Sequence, residues 1–195
     1  YAGVIHSHAR LTYTRVADAI EGREADPPIG RDVMPNIENL YAAFKALLGS
    51  RQKRGAIDFD SVETRMIFDD QGKIERIVRV ECMLAANVCA SDYLEKNEQP
   101  TLYRVHEGPP AEKLEALRAM LKDFGLTLGG GDEPQAGDYA DLLKRIKDKP
   151  YAGMLQTVML RSLSQAVSTP ANVGHFGLAY DAYAHFTSTI RRYPD

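Results

Sequence analysis

Apolar positions recur at helical spacing over most of this chain, and shorter stretches alternate as strands do. The strongest helical stripe starts at Pro35 and carries Ile37, Leu40, Tyr41, Phe44, Leu47 and Leu48. A basic run (Arg51, Lys53 and Arg54) and then Gly55 close it. Residues 110–124 give a second amphipathic helix, with proline at its start and Gly125 as its stop. Asp138 is placed to cap a third, which carries Leu142, Leu143 and Ile146. Residues 81–96 read as a helix with Met83, Ala86, Ala90 and Leu94 on its core side. Residues 154–167 read as a nearly apolar, buried one. Thr12 or Thr14 can cap a short helix that ends near Gly22.

Alternation predicts strands over residues 2–10, 56–60, 64–68 and 101–106. The turn signal Asp69-Asp70-Gln71-Gly72 leads from 64–68 into a further strand over 73–80. Residues 172–183, rich in glycine and aromatics, also read as strand-like. Residues 25–33 form a loop, and 129–137 is the most linker-like segment, short enough for an ordinary loop. No internal repeat is present. The pattern predicts an α+β chain of mixed helices and antiparallel strands, with helices dominating.

Composition adds bounds. With 195 residues, 44% of them apolar and 26% charged, the chain suits a globular protein with one core or two small ones. No apolar run approaches the roughly 20 residues that span a bilayer. The start at Tyr1 shows no signal-peptide pattern, and the lack of an initiator methionine suggests a piece of a longer protein. Cys82 and Cys89 are seven apart on one helix, roughly 10 Å along its axis, too far for a disulfide. Two buried thiols in a reducing cytoplasm are expected. The net charge of −3 excludes a uniformly basic coat, so any nucleic acid must be gripped in a local groove.

The densest candidate chemistry lies at residues 185–195, HFTSTIRRYPD. Arg191 and Arg192 follow a Thr-Ser-Thr step and are flanked by His185, Phe186 and Tyr193. Guanidinium forks grip phosphate oxygens and aromatics stack on bases. A helix start at Ser188 or Thr189 would aim free N–H groups at the same anion. The alternative is an arginine pair on a solvated helix start.

Elsewhere the ordinary readings prevail. His6 and His8 share a strand face but lack a third metal ligand, and Asp58 and Asp60 lack an acidic partner. Arg104 and His106 are basic but isolated. Gly129 to Asp132 (GGGD) has no lysine and is a flexible turn. Phe59 suits core packing, Glu81 complements a helix start, and Tyr13 is a plain aromatic on local evidence.

In order, SHARLTYTRV (residues 7–16), KRGAIDFDSVE (53–63), ECMLAANV (81–88), LYRVHEGP (102–109), MLQTVMLRSLSQAV (154–167) and GHFGLAYDAYAHFTSTIRRYPD (174–195) run the length of the chain. Together they resemble the RNB catalytic domain of the ribonuclease II/ribonuclease R family of processive 3′→5′ exoribonucleases. The resemblance implies that residues 1–195 are the C-terminal portion of that domain, an enzyme that hydrolyses single-stranded RNA to nucleoside 5′-monophosphates with magnesium ions. It casts Arg191 as the contact to the scissile phosphate, supported by Arg192 and the phosphate region of His185, Ser188 and Tyr193. Tyr13 matches the tyrosine that holds the 3′-terminal nucleotides, and Phe59 the phenylalanine that stacks on a terminal base.

Glu81, preceded by Val80, stands where the family has two adjacent glutamates, the first of them at its active site. Thr189 replaces a usual proline and Ser168 an aromatic. The family's magnesium-binding aspartates lie in an acidic motif upstream of anything in this sequence, so no metal ligand is assigned and the fragment alone is expected to be inactive. The implied partner is single-stranded RNA, with no membrane, for a cytoplasmic monomer. A non-catalytic RNA-binding relative is the alternative.

Overall fold

The structure is a computed structural model that describes residues 3–4, 6–59 and 77–187. The chain divides into two compact units, Tyr1–Ser50 with Thr64–Leu84, and Arg51–Glu63 with Ala85–Asp195. The elements in order are α1 (Tyr13–Ile20), α2 (Met34–Arg54), α3 (Ile77–Lys96), β1 (Tyr103–Val105), α4 (Ala111–Asp123), α5 (Ala136–Ile146), α6 (Ala152–Ser162) and β2 (Val167–Thr169). A single 3-10 turn follows at Phe176–Leu178. The fold is mostly helical, with β1 and β2 paired antiparallel in the register Tyr103–Thr169, Arg104–Ser168 and Val105–Val167.

In the first unit, Thr12 caps α1 by accepting the Arg15 N–H at 3.4 Å. The Arg15 side chain in turn donates to the carbonyls of Pro27 and Pro28, at 2.8 and 3.1 Å, which pins the proline-rich loop to α1. On α2, Ile37 and Phe44 are buried and Lys45 lies 4.3 Å over the Tyr41 ring. Residues 3–4 and 6–10 form no strand, contrary to their alternation; Val4 stands fully exposed. Alternation yields a strand only where a partner takes the ladder hydrogen bonds, and none does so among the described residues.

The second unit holds the main core. Leu114, Leu117 and Leu121 of α4, Tyr139, Leu142 and Ile146 of α5, and Leu155 and Met159 of α6 are all almost completely buried. α4 begins after Pro110 and stops at Phe124, with Gly125 at φ +65° turning the chain away. α5 begins two residues before Asp138: Gln135 is the cap, and Asp138 closes a capping box by accepting the Gln135 N–H at 2.7 Å. Asp138 is thus the reciprocal partner rather than the cap. The buried Tyr139 hydroxyl meets Ser162 Oγ at 3.0 Å, which donates on to the Met159 carbonyl.

Five further expectations change. α6 ends at Ser162, and Val167 belongs to β2; Met154 and Leu160 point to solvent, so only one face of that helix is buried. Residues 56–59 form no strand, although the Ile57 N–H donates to the Gly177 carbonyl at 2.9 Å. Ile77 to Val80 lie in the first turn of α3 rather than in a strand, although isoleucine and valine favour strands; such preferences are weak and yield to context. The buried face of α3 carries Glu81, Leu84, Asn87 and Ser91, while Met83, Ala86, Ala90 and Leu94 are only partly covered. The strand predicted at 64–68 and its hairpin turn lie outside the described residues. Cys89 is exposed and Cys82 half-buried, so the thiols are not both buried.

Candidate functional site

His106, at the end of β1, organises the glycine- and aromatic-rich segment that follows β2. Its backbone N–H donates to the Gly174 carbonyl at 3.0 Å and its carbonyl accepts the Phe176 N–H at 2.7 Å. The ring is used on both sides: Nε2 lies 2.9 Å from the Ser164 carbonyl, and Nδ1 accepts the Gly177 N–H at 3.1 Å. These partners fix the neutral tautomer with hydrogen on Nε2. Burial holds this imidazole below its ordinary value. A side chain at Gly177 would press on the same ring, its Cβ 2.9 Å from Nδ1. His106 is a hub, not the isolated base that its sequence position suggested.

His175 packs edge-on against His106, with ring centres 5.0 Å apart, and its Nδ1 accepts the Leu178 N–H at 3.3 Å. Burial, and then the charge of neighbouring His106, lower His175 to about 4. Both histidines are therefore neutral near pH 7. Nearby, the Arg54 guanidinium stacks 3.9 Å over the Tyr180 ring and its Nε donates to the Leu178 carbonyl. A cleft of about 530 Å³ opens beside these groups, lined by Arg54, His106, Glu107, Asn172, His175, Tyr180 and Asp181 among others. Its charges are of both signs, so it is not a simple anion pocket.

The chain then runs through Tyr183 to the closing segment. Tyr183 is buried, its carbonyl accepts the Arg104 N–H at 2.7 Å, and its ring faces His175 and His185 with centres 5.4 and 6.4 Å away. Asn87 of α3, only 1% exposed, reaches two points of this segment. Its Nδ2 donates to the Tyr183 hydroxyl at 2.7 Å, and its Oδ1 accepts the Thr187 N–H at 2.8 Å.

Similarity to known proteins decides the family. A family model for the RNB domain matches residues 1–195. The chain belongs to the RNB domain family. This RNB chain is 46% identical over 205 residues to ribonuclease R of Vibrio cholerae and 44% identical over 209 residues to ribonuclease R of Escherichia coli. Each alignment covers all of the chain and 25% of the relative, so the chain spans about a quarter of the curated relatives it matches. Among solved structures, Mycoplasma genitalium ribonuclease R in complex with ribose-methylated single-stranded RNA aligns with a TM-score of 0.76 at 24% identity. That match covers 93% of this chain and 30% of the other. Yeast Ssd1, described as a pseudonuclease, aligns with a TM-score of 0.65 at 16% identity, over 94% of this chain and 24% of that one. These two likenesses establish the fold.

Of the predicted site residues, Arg191, Arg192, Ser188 and Tyr193 lie outside the described residues. Tyr13 is the first residue of α1, placed by its backbone alone. Phe59 is half-buried and packs against the helical core of the second unit. Glu81 is 3% exposed on α3, and His185 is partly covered beside Tyr183. Phe59 and His185 belong to the second unit, Tyr13 and Glu81 to the first.

Sequence reasoning passed over Asn87, Tyr183 and the His106–His175 pair. The available signal was an asparagine inside the mostly apolar run ECMLAANV, since a polar side chain buried there requires partners.

Proposed function

We propose that this chain forms the C-terminal portion of the catalytic domain of a 3′→5′ exoribonuclease that hydrolyses single-stranded RNA to nucleoside 5′-monophosphates. The observation that carries this reading is the identity of 46% to Vibrio cholerae ribonuclease R across the whole chain. Arg191 binds the scissile phosphate and stabilises the charge that develops in the transition state, and Arg192 supports the same phosphate. Tyr13 holds the 3′-terminal nucleotides and Phe59 offers a face for a base, which tolerates any sequence because every base has a π-face. Glu81 contributes a carboxylate from the second turn of α3, and His185, Ser188 and Tyr193 border the phosphate site.

The family reaction uses magnesium. Among the described residues no three histidine, cysteine or acidic side chains come together to hold a metal. The part proposed for this chain is RNA binding and charge stabilisation. By itself it is expected to release no mononucleotides. No helix among the described residues is long and apolar enough to cross a membrane, and the proposed protein acts as a cytoplasmic monomer.

The test uses the full-length protein that carries this chain, with labelled oligo(A) and magnesium. Steady release of 5′-monophosphates is expected, and Arg191→Ala should lower turnover far more than RNA affinity. Equal losses in both would refute the transition-state role. RNA binding without any release would favour the non-catalytic reading, which the likeness of fold to the yeast pseudonuclease Ssd1 keeps in play.

A further inference from the structure

We propose that Arg51 is the positioning residue for Phe59: it holds the two residues before the phenylalanine, so that the ring meets a base of single-stranded RNA already oriented. The proposal rests on the function given above, in which Phe59 is the stacking face. Arg51 lies in the last turn of α2, and its side chain is only 14% exposed. One terminal nitrogen, Nη2, donates to the Ile57 carbonyl at 3.4 Å and to the Asp58 carboxylate at 3.2 Å. A guanidinium serves both acceptors from one rigid plane. The Asp58 side chain is 75% exposed, so it forms the solvent-side arm of this grip and the Ile57 carbonyl the inner arm.

The stretch that carries Phe59 needs such a grip. Ile57 is buried, Asp58 is exposed and Phe59 is half-buried, so side chains alternate as in an extended chain. Yet residues 56–59 join no strand among the described residues. Ile57 instead has both backbone groups engaged: its N–H donates to the Gly177 carbonyl at 2.9 Å, and its carbonyl takes the bond from Arg51. Gly177 is fixed in turn, because its own N–H donates to Nδ1 of His106. Phe59 packs against the core of the second unit. That packing sets how deep the ring sits, while the polar bonds just before it set the direction from which it leaves the backbone. A ring oriented before RNA arrives loses less freedom on binding, and base stacking is the interaction that registers the difference.

The experiment is a double-mutant cycle in the full-length protein, with magnesium chelated so that RNA is bound but not consumed. Affinity is measured for two labelled oligo(U) strands, one intact and one whose 3′-terminal nucleotide is abasic. The readout is the preference for the intact strand, in which the effect of a lost charge on the phosphates cancels. Phe59→Ala is expected to lower this preference by about 5- to 100-fold. Arg51→Gln should lower it by about 3- to 10-fold, and no further when Phe59 is already alanine, because nothing is left to position. An unchanged preference in Arg51→Gln, with both affinities falling together or neither, would make the arginine a phosphate contact or a plain support of the fold. That result, or a further fall in the Phe59→Ala background, would overturn the positioning role and leave the function intact. An unchanged preference in Phe59→Ala would remove the stacking face from the functional reading, and the proposal with it. If Arg51→Gln does not fold, Asp58→Ala runs the same cycle at the exposed arm. A fall in preference of about 2- to 3-fold, absent when Phe59 is already alanine, is expected; an additive fall or none overturns the proposal.

Discussion

Acidification should destabilise the second unit through His175 before most carboxylates titrate. In the folded chain this imidazole titrates at about 4, against an ordinary value of 6.5. A base whose folded value is depressed binds its proton more readily when unfolded. Its contribution is therefore complete above pH 6.5 and is lost as pH falls from 6.5 to 4. A shift of that size corresponds to about 3 kcal/mol, and nearer 2 kcal/mol because solvent reaches part of the ring. The groups that face it are His106, whose charge opposes protonation, Arg104 acting the same way, and Glu107 and Asp181 along the shared cleft. The assay is urea unfolding at a series of pH values from 7.5 to 4, set beside His175→Asn, whose amide oxygen can stand in for Nδ1 toward the Leu178 N–H. The wild type should lose about 2 kcal/mol more than the variant across that window. Parallel curves, or a directly titrated His175 near 6.5, would refute the reasoning.

Three substitutions test the packing. Leu142→Ala, at a fully buried site between α5 and its neighbours, should cost about 2–5 kcal/mol in the same unfolding assay; a loss under about 1 kcal/mol would mean the core there collapses freely. Gly130→Ala should be clearly worse than Gly131→Ala. Both residues have positive φ, but a Cβ at Gly130 would meet the Pro134 backbone and the Asp138 carboxylate, whereas Gly131 faces open space. Equal losses would remove the steric part of that argument.

Much of the helical frame was legible because its signals are local. Pro110 and Gly125 bracket α4, and the spacing of Leu142, Leu143 and Ile146 marks α5. The misread stretches were those in which a residue's preference and its surroundings disagree. Ile77, Val78 and Val80 favour strands one by one yet continue a long helix, and the alternating N-terminal stretch finds no partner among the described residues. The face of α3 was rotated for a related reason. Apolar periodicity selects Met83, Ala86 and Ala90, but Asn87 is buried because its partners lie 96 and 100 residues further along, where no local pattern can show them. Arg191, Tyr13 and Phe59 could be singled out only through a family resemblance spanning the chain; on local grounds Phe59 was a core residue, and it does pack on the core.

The glycine run at Gly129–Gly131 looks on composition like the natural place to cut the chain or graft a peptide into it. Its first two members instead form a close-fitting seat around the Asp138 carboxylate, which holds the first turn of α5 in place. An insertion there would unseat that carboxylate and pull apart two helices that share one core. A dissection of this protein should leave these glycines whole.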